Sequence, residues 1–172
     1  MPPAPTELTS VAWTGSGDPG YLLRPSPDAK PFHEALAAGR LLLRVCDACG
    51  RARYPHGPVC PYCGSDAWAW HEVPAGASLL SWGRCHLPLV PEFPPPYLVA
   101  AGLLDAGPPL IGALLEPADA EPAPGARLRV VAQRWPSGVC VAAFVCDPDR
   151  GGAPATDGPD DGVITSSTGG RA

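Results

Sequence analysis

The chain has 172 residues, of which 20 are glycine and 25 proline, about a quarter of the whole, yet 45% are hydrophobic and only 17% charged. Glycine and proline at that level mark low-complexity stretches, while the apolar fraction requires a buried core, so one ordered domain with unstructured ends is expected. The net charge of −5, from eleven arginines, one lysine (Lys30) and 17 acidic residues, lacks the cationic surplus with which nonspecific nucleic-acid binders neutralise phosphates.

The N-terminus, Met1-Pro2-Pro3-Ala4-Pro5, has neither the basic start nor the apolar stretch of a secretory signal, and no apolar run reaches the ~18 residues of a membrane span. A soluble, cytoplasmic protein is expected. Residues 1–27 read as a flexible tail whose bulky features are Trp13, Tyr21 and Leu22. Asp28 can cap a short helix with Pro31 in its first turn, Phe32 and Leu36 on one face, and Gly39 as its stop. Residues 41–45 and 67–73 read as strands on either side of a cysteine-rich segment, with Trp68 and Trp70 on one side of the second.

Five further strands are expected at residues 78–86, 97–104, 110–115, 128–133 and 139–145, short, evenly spaced and separated by Gly/Pro turns. They predict a small barrel or sandwich. Arg127-Leu128-Arg129-Val130 alternates as a strand with one wet face, whereas residues 139–145 are apolar on both faces and are expected to be central or covered. Residues 150–172, small and polar, are expected to be disordered. The organisation is then a tail at 1–27, helix and cysteine segment at 28–74, a barrel at 75–149 and a tail at 150–172.

Seven cysteines are an odd number without a secretion signal, which disfavours a disulfide framework and favours metal ligation. Cys46-x2-Cys49-Gly50, ten residues, then Cys60-x2-Cys63-Gly64 supply four thiolates from two knuckles. Each tight turn aims two sulfurs at one point, and four sulfurs in tetrahedral array fit Zn2+ in a closed structural site. A mononuclear iron site uses similar knuckles, and a redox C-x2-C would need a strand-helix-strand setting that this segment lacks. His33, His56 and His71 are expected at the surface more often than as ligands, with His56, inside the segment, the one that could replace a cysteine in a variant site. Cys85, Cys140 and Cys146 read as small buried hydrophobes. No Ser/His/Asp set, phosphate-cradling loop or paired carboxylates stand out, so no catalytic residue is assigned.

The order Gly39-Arg40-Leu41, C-x2-C-Gly, Arg53-Tyr54-Pro55, Cys60-Pro61-x-Cys63-Gly64-Ser65, Trp70 and Pro96-Tyr97-Leu98-Val99-Ala100 resembles the DUF35 family over residues 31–147. The resemblance implies a mainly β chain: a short N-terminal helix, a rubredoxin-like zinc ribbon and a five-stranded OB-fold barrel. It implies a non-catalytic accessory subunit of a thiolase-like, aldolase or hydratase partner acting on acyl-CoA thioesters, helping to position CoA or the acyl group. This chain is poorer in lysine than that pattern, so contacts to CoA phosphates would fall to arginine, with Arg51, Arg53 and Arg84 as candidates. The loop of residues 87–96, with Leu89, Val90 and Phe93, belongs to the loop class through which OB-folds bind ligands. The alternative is a nucleic-acid-binding ribbon and OB module, against which the acidic balance weighs.

Overall fold

The computed structural model describes residues 8–12, 25–88, 94–135 and 137–147. Helix α1 (Lys30–Ala37) has Pro31 in its first turn and buries Phe32, Ala35 and Leu36 along one face. Gly39, at φ 74°, follows its last turn. Asp28 does not cap the helix: the N-cap is Ala29, with no side-chain cap bond. The Asp28 carboxylate instead lies 3.8 Å from the Arg44 guanidinium, a full charge that outcompetes the partial charge of the helix end.

Strand β2 (Leu42–Cys46) lies between β3 (Ala52–Arg53) and β4 (Trp68–Glu72) in an antiparallel three-stranded sheet. At two residues, β3 is too short to leave a period-2 signature, and it was not expected. Alternation splits this sheet: Leu43 and Ala52 enter the main core, while Arg44, opposite both Arg53 and Trp70, is on the other face.

The second sheet holds β5 (Gly76–Cys85), β6 (Tyr97–Leu104), β7 (Pro109–Leu114), β8 (Arg127–Arg134) and β9 (Cys140–Cys146). Antiparallel pairing runs β8-β5-β6-β7, β7 pairs parallel with β9, and β9 returns antiparallel to β8, closing a five-stranded barrel. This is the OB-fold order. Its interior is filled by Leu98, Leu104, Leu110, Leu128, Val130 and Phe144, each at most 2% exposed, in one cluster with Phe32 and Leu36 of α1 and Leu43 of β2. The doubly apolar β9 is explained by its place between β7 and β8 with α1 packed against it. His33 there donates from Nδ1 to the Cys140 carbonyl at 2.7 Å. His33 is therefore a half-buried clamp, not the surface residue expected.

A bulge between Leu79 and Ser81 shifts the phase of β5. Beyond it Trp82 and Arg84 stand opposite Ala100 and Leu98, two core residues, and so turn toward the barrel mouth. There they hold the β7–β8 connection: Trp82 Nε1 donates to Pro122 O at 2.9 Å, and Arg84 Nε to Ala118 O at 2.6 Å.

Part of the expected N-terminal tail is structured. Leu8 is buried and its N–H donates to Gly39 O at 2.7 Å, and β1 (Ser10–Ala12) pairs parallel with β8. A three-residue strand whose partner lies over 100 positions away leaves no local pattern to read. Trp13, Tyr21, Leu22, Leu89, Val90, Phe93 and residues 150–172 lie outside the described residues. Among those described, no helix is long and apolar enough to cross a membrane.

Candidate metal centre

Each C-x2-C knuckle closes on itself. Gly50 N–H donates to Cys46 O at 2.8 Å and Gly64 N–H to Cys60 O at 2.9 Å, while Cys46 and Cys60 N–H donate to Arg51 O and Ser65 O. The two glycines have φ of 70° and 76°. Beyond their chain neighbours no heavy atom lies within 4 Å of a Cβ built at either, so the left-handed turn is what favours glycine here.

The knuckles face one another, and the four Sγ atoms of Cys46, Cys49, Cys60 and Cys63 all lie within 4.8 Å of one another. Cys46 Sγ is 3.6 Å from Cys63 Sγ, and Cys49 Sγ 3.7 Å from Cys60 Sγ. Four sulfurs ~2.3 Å from a central ion in tetrahedral array are about 3.8 Å apart, whereas a disulfide would bring a pair to ~2.05 Å. The donor set fits Zn2+, and four protein thiolates leave no open position for a substrate or a reactive water. Backbone N–H donation from Cys49, opposed by burial, brings the Cys46 thiol down to about 6. At Cys63 the Ser65 N–H favours the thiolate, but the sulfurs of Cys46, Cys49 and Cys60, together with burial, push it up to about 11. The cluster therefore resists becoming fully anionic without a cation, and metal binding releases protons.

His56 is no ligand. Its ring meets Trp70 edge-on at 4.8 Å and Tyr54 edge-on at 5.2 Å and lies tilted against Phe32 at 5.1 Å, with both ring nitrogens buried and unpartnered. Burial first, then the charges of Arg44, His33 and Arg53, lower its pKa from 6.5 to about 4.

Behind the knuckles, Arg44 is buried with Cζ 3.7 Å over the Trp68 ring and 5.2 Å from Trp70. It donates from Nη2 to Asp28 O at 3.1 Å and from Nη1 to His56 O and Gly57 O at 3.4 Å. A desolvated cation over indole contributes about 2 kcal/mol, so Arg44 ties the helix entry, the 54–57 turn and β4 together. Sequence reasoning passed over Arg44; its signal is a lone cation inside the apolar run Leu41-Leu42-Leu43-Arg44-Val45.

Of the three arginines considered for CoA, Arg51 is exposed, with Cζ 4.7 Å over the Tyr62 ring. Arg53 is buried and lines a cleft of about 360 Å³ that Tyr62 also lines. Arg84 is at the barrel mouth, its donors directed at Ala118 O and Ala120 O. The fold thus gathers Arg51 and Arg53 and separates Arg84 from them. Among the other cysteines Cys140 is buried, and Cys85 and Cys146 are half-buried.

Three comparisons bear on these features. The family model for the ChsH2 rubredoxin-like zinc ribbon domain matches residues 33–69. The "Probable enoyl-CoA hydratase alpha subunit" of Thermomonospora curvata is 38% identical over 93 residues, 52% of this chain, which spans only 29% of that protein's length. Among solved structures, the Ltp2-ChsH2(DUF35) aldolase contains a chain 30% identical, with a TM-score of 0.63, covering 72% of this chain and 98% of its own. A DUF35 protein of unknown function from Sulfolobus solfataricus, 17% identical with a TM-score of 0.52 over 71% of this chain and 87% of its own, shares the fold. With the ribbon, the barrel and a match across nearly the whole of a solved relative, the chain belongs to the DUF35 family.

Proposed function

We propose that the chain is a non-catalytic accessory subunit that binds and supports a partner enzyme acting on acyl-CoA thioesters, the partner being a thiolase-like, aldolase or hydratase protein. The observation that carries this reading is the 30% identity across 98% of a chain in the Ltp2-ChsH2(DUF35) aldolase, and the probable hydratase subunit that is 38% identical over 93 residues supports the same chemistry. Cys46, Cys49, Cys60 and Cys63 hold a structural Zn2+, which supplies folding energy to the ribbon and takes no part in chemistry. Where CoA is contacted, Arg51 is the arginine whose exposed guanidinium is available to a phosphate, whereas Arg84 serves the β7–β8 connection. The nucleic-acid alternative gains nothing from the barrel: β6 and β7 carry no cation and one aromatic residue, Tyr97.

The test is to purify the chain from its native host with whatever enzyme accompanies it and to assay chain, enzyme and complex on acyl-CoA substrates. The chain alone should be silent and the complex active. Turnover of acyl-CoA by the purified chain alone would overturn the reading.

A further inference from the structure

Resting on the accessory-subunit reading, we propose that the cleft between ribbon and barrel is a socket for an Asp or Glu side chain of the partner enzyme, with Arg53 as its counter-ion. Arg53 is 3% exposed, and its Nε, Nη1 and Nη2 are all buried without a hydrogen-bond partner. Arginine cannot shed its charge by losing a proton. An isolated cation out of water is strongly unfavourable unless an anion meets it. Its cross-strand neighbour Arg44 shows the compensated case, with a carboxylate and three carbonyls around it. Among the described residues no carboxylate or carbonyl does this for Arg53; its Cζ lies 6.0 Å from the Trp68 ring, at the outer limit of a cation–π contact.

The surroundings indicate what does. The cleft is lined by Arg53, Tyr54, Val59, Pro61, Tyr62 and Pro109, with Val59 and Tyr62 each 51% exposed. From Pro109 an uncharged surface continues along β7 to Ile111, 68% exposed and opposite Ala101 of β6. β6 and β7 together carry no charged residue. A tyrosine-bearing apolar face around one recessed guanidinium matches the anatomy of a protein interface, and a single planar fork matches a single carboxylate. A diphosphate is met best by several cations, and among the described residues the cleft's lining holds Arg53 as its one arginine or lysine, with Arg51 beside it over the Tyr62 ring. Because the Arg53 nitrogens are covered, a carboxylate reaches them, on the enzyme or as a free ion, as the side chains lining the cleft give way.

The experiment uses the full zinc-loaded chain, the enzyme that co-purifies with it, and the variants Arg53→Met and Arg53→Lys. Met should melt at or above wild type, since it removes an uncompensated charge, and should bind the enzyme about 30-fold or more weakly; Lys, which keeps charge but not the fork, should fall between. Acetate, as a free carboxylate probe, should raise the melting temperature of the isolated wild type but not of Arg53→Met. The proposal is overturned if Met binds the enzyme as tightly as wild type. It is overturned if Met melts well below wild type, which would place the counter-ion inside the chain, or if inorganic phosphate stabilises at lower concentration than acetate. Should wild type bind no enzyme, the accessory reading fails, and the acetate difference still reports on the socket; if that difference is absent too, both fall.

Discussion

Replacing Gly102 by Ala tests the packing at the centre of the barrel. Gly102 lies mid-strand in β6, opposite Leu79 of β5 and Leu110 of β7. A Cβ there would stand 2.8 Å from Phe144 Cζ, 2.9 Å from its Cε1 and 3.4 Å from Ala77 Cβ. Phe144 is fully buried, so its ring has nowhere to go. Inserting one methyl into such a site costs about 1–3 kcal/mol. Restricting the unfolded chain by losing a glycine returns about 0.5–1 kcal/mol. The net is a loss of about 1–2 kcal/mol, or roughly 3–6 °C in melting temperature for a domain of this size. Urea denaturation of the zinc-loaded chain, followed by far-UV circular dichroism, reads it directly. Phe144→Leu should cost about 1 kcal/mol or more alone, and the double variant should be more stable than the sum by at least ~0.5 kcal/mol, because the methyl then occupies space the ring has left. A Gly102→Ala chain as stable as wild type, or strictly additive losses, would refute the packing argument.

Freshly purified chain should carry one zinc, and Cys60→Ser, removing a buried thiolate, should abolish metal retention and unravel the ribbon; elemental analysis showing iron, or a Ser variant that retains zinc and native fluorescence, would contradict this. His56 is held neutral with a folded-state pKa of about 4 against 6.5 unfolded, so the unfolded chain takes up the extra proton. Its contribution is complete above pH ~6.5 and is lost as pH falls toward 4, about 1–2 kcal/mol once its partial exposure is discounted. His56→Phe should flatten the stability profile across that window, and an unchanged slope would show that other groups set it.

What could be read from the sequence alone was what is local. The knuckles were legible because a C-x2-C turn with a following glycine is complete within five residues, and its donor chemistry is written in the thiols themselves. The barrel strands were legible as well: β6 was expected at its observed bounds, and Leu128 and Val130 alternate with Arg127 and Arg129 as a one-faced strand must. What tertiary structure alone decided was phase and pairing. The Leu79–Ser81 bulge turns Arg84 to the barrel mouth, where loop carbonyls take its donors, and nothing in the run from Ser78 to Cys85 announces a skipped register. Leu8 and β1 join the fold through Gly39 and β8, partners too distant for any window to see. Asp28 turns from the helix end to Arg44, and Arg53 is left buried without an anion. Each outcome follows from charges and side chains meeting across strands that sequence spacing does not bring together, and burial sets its energetic weight.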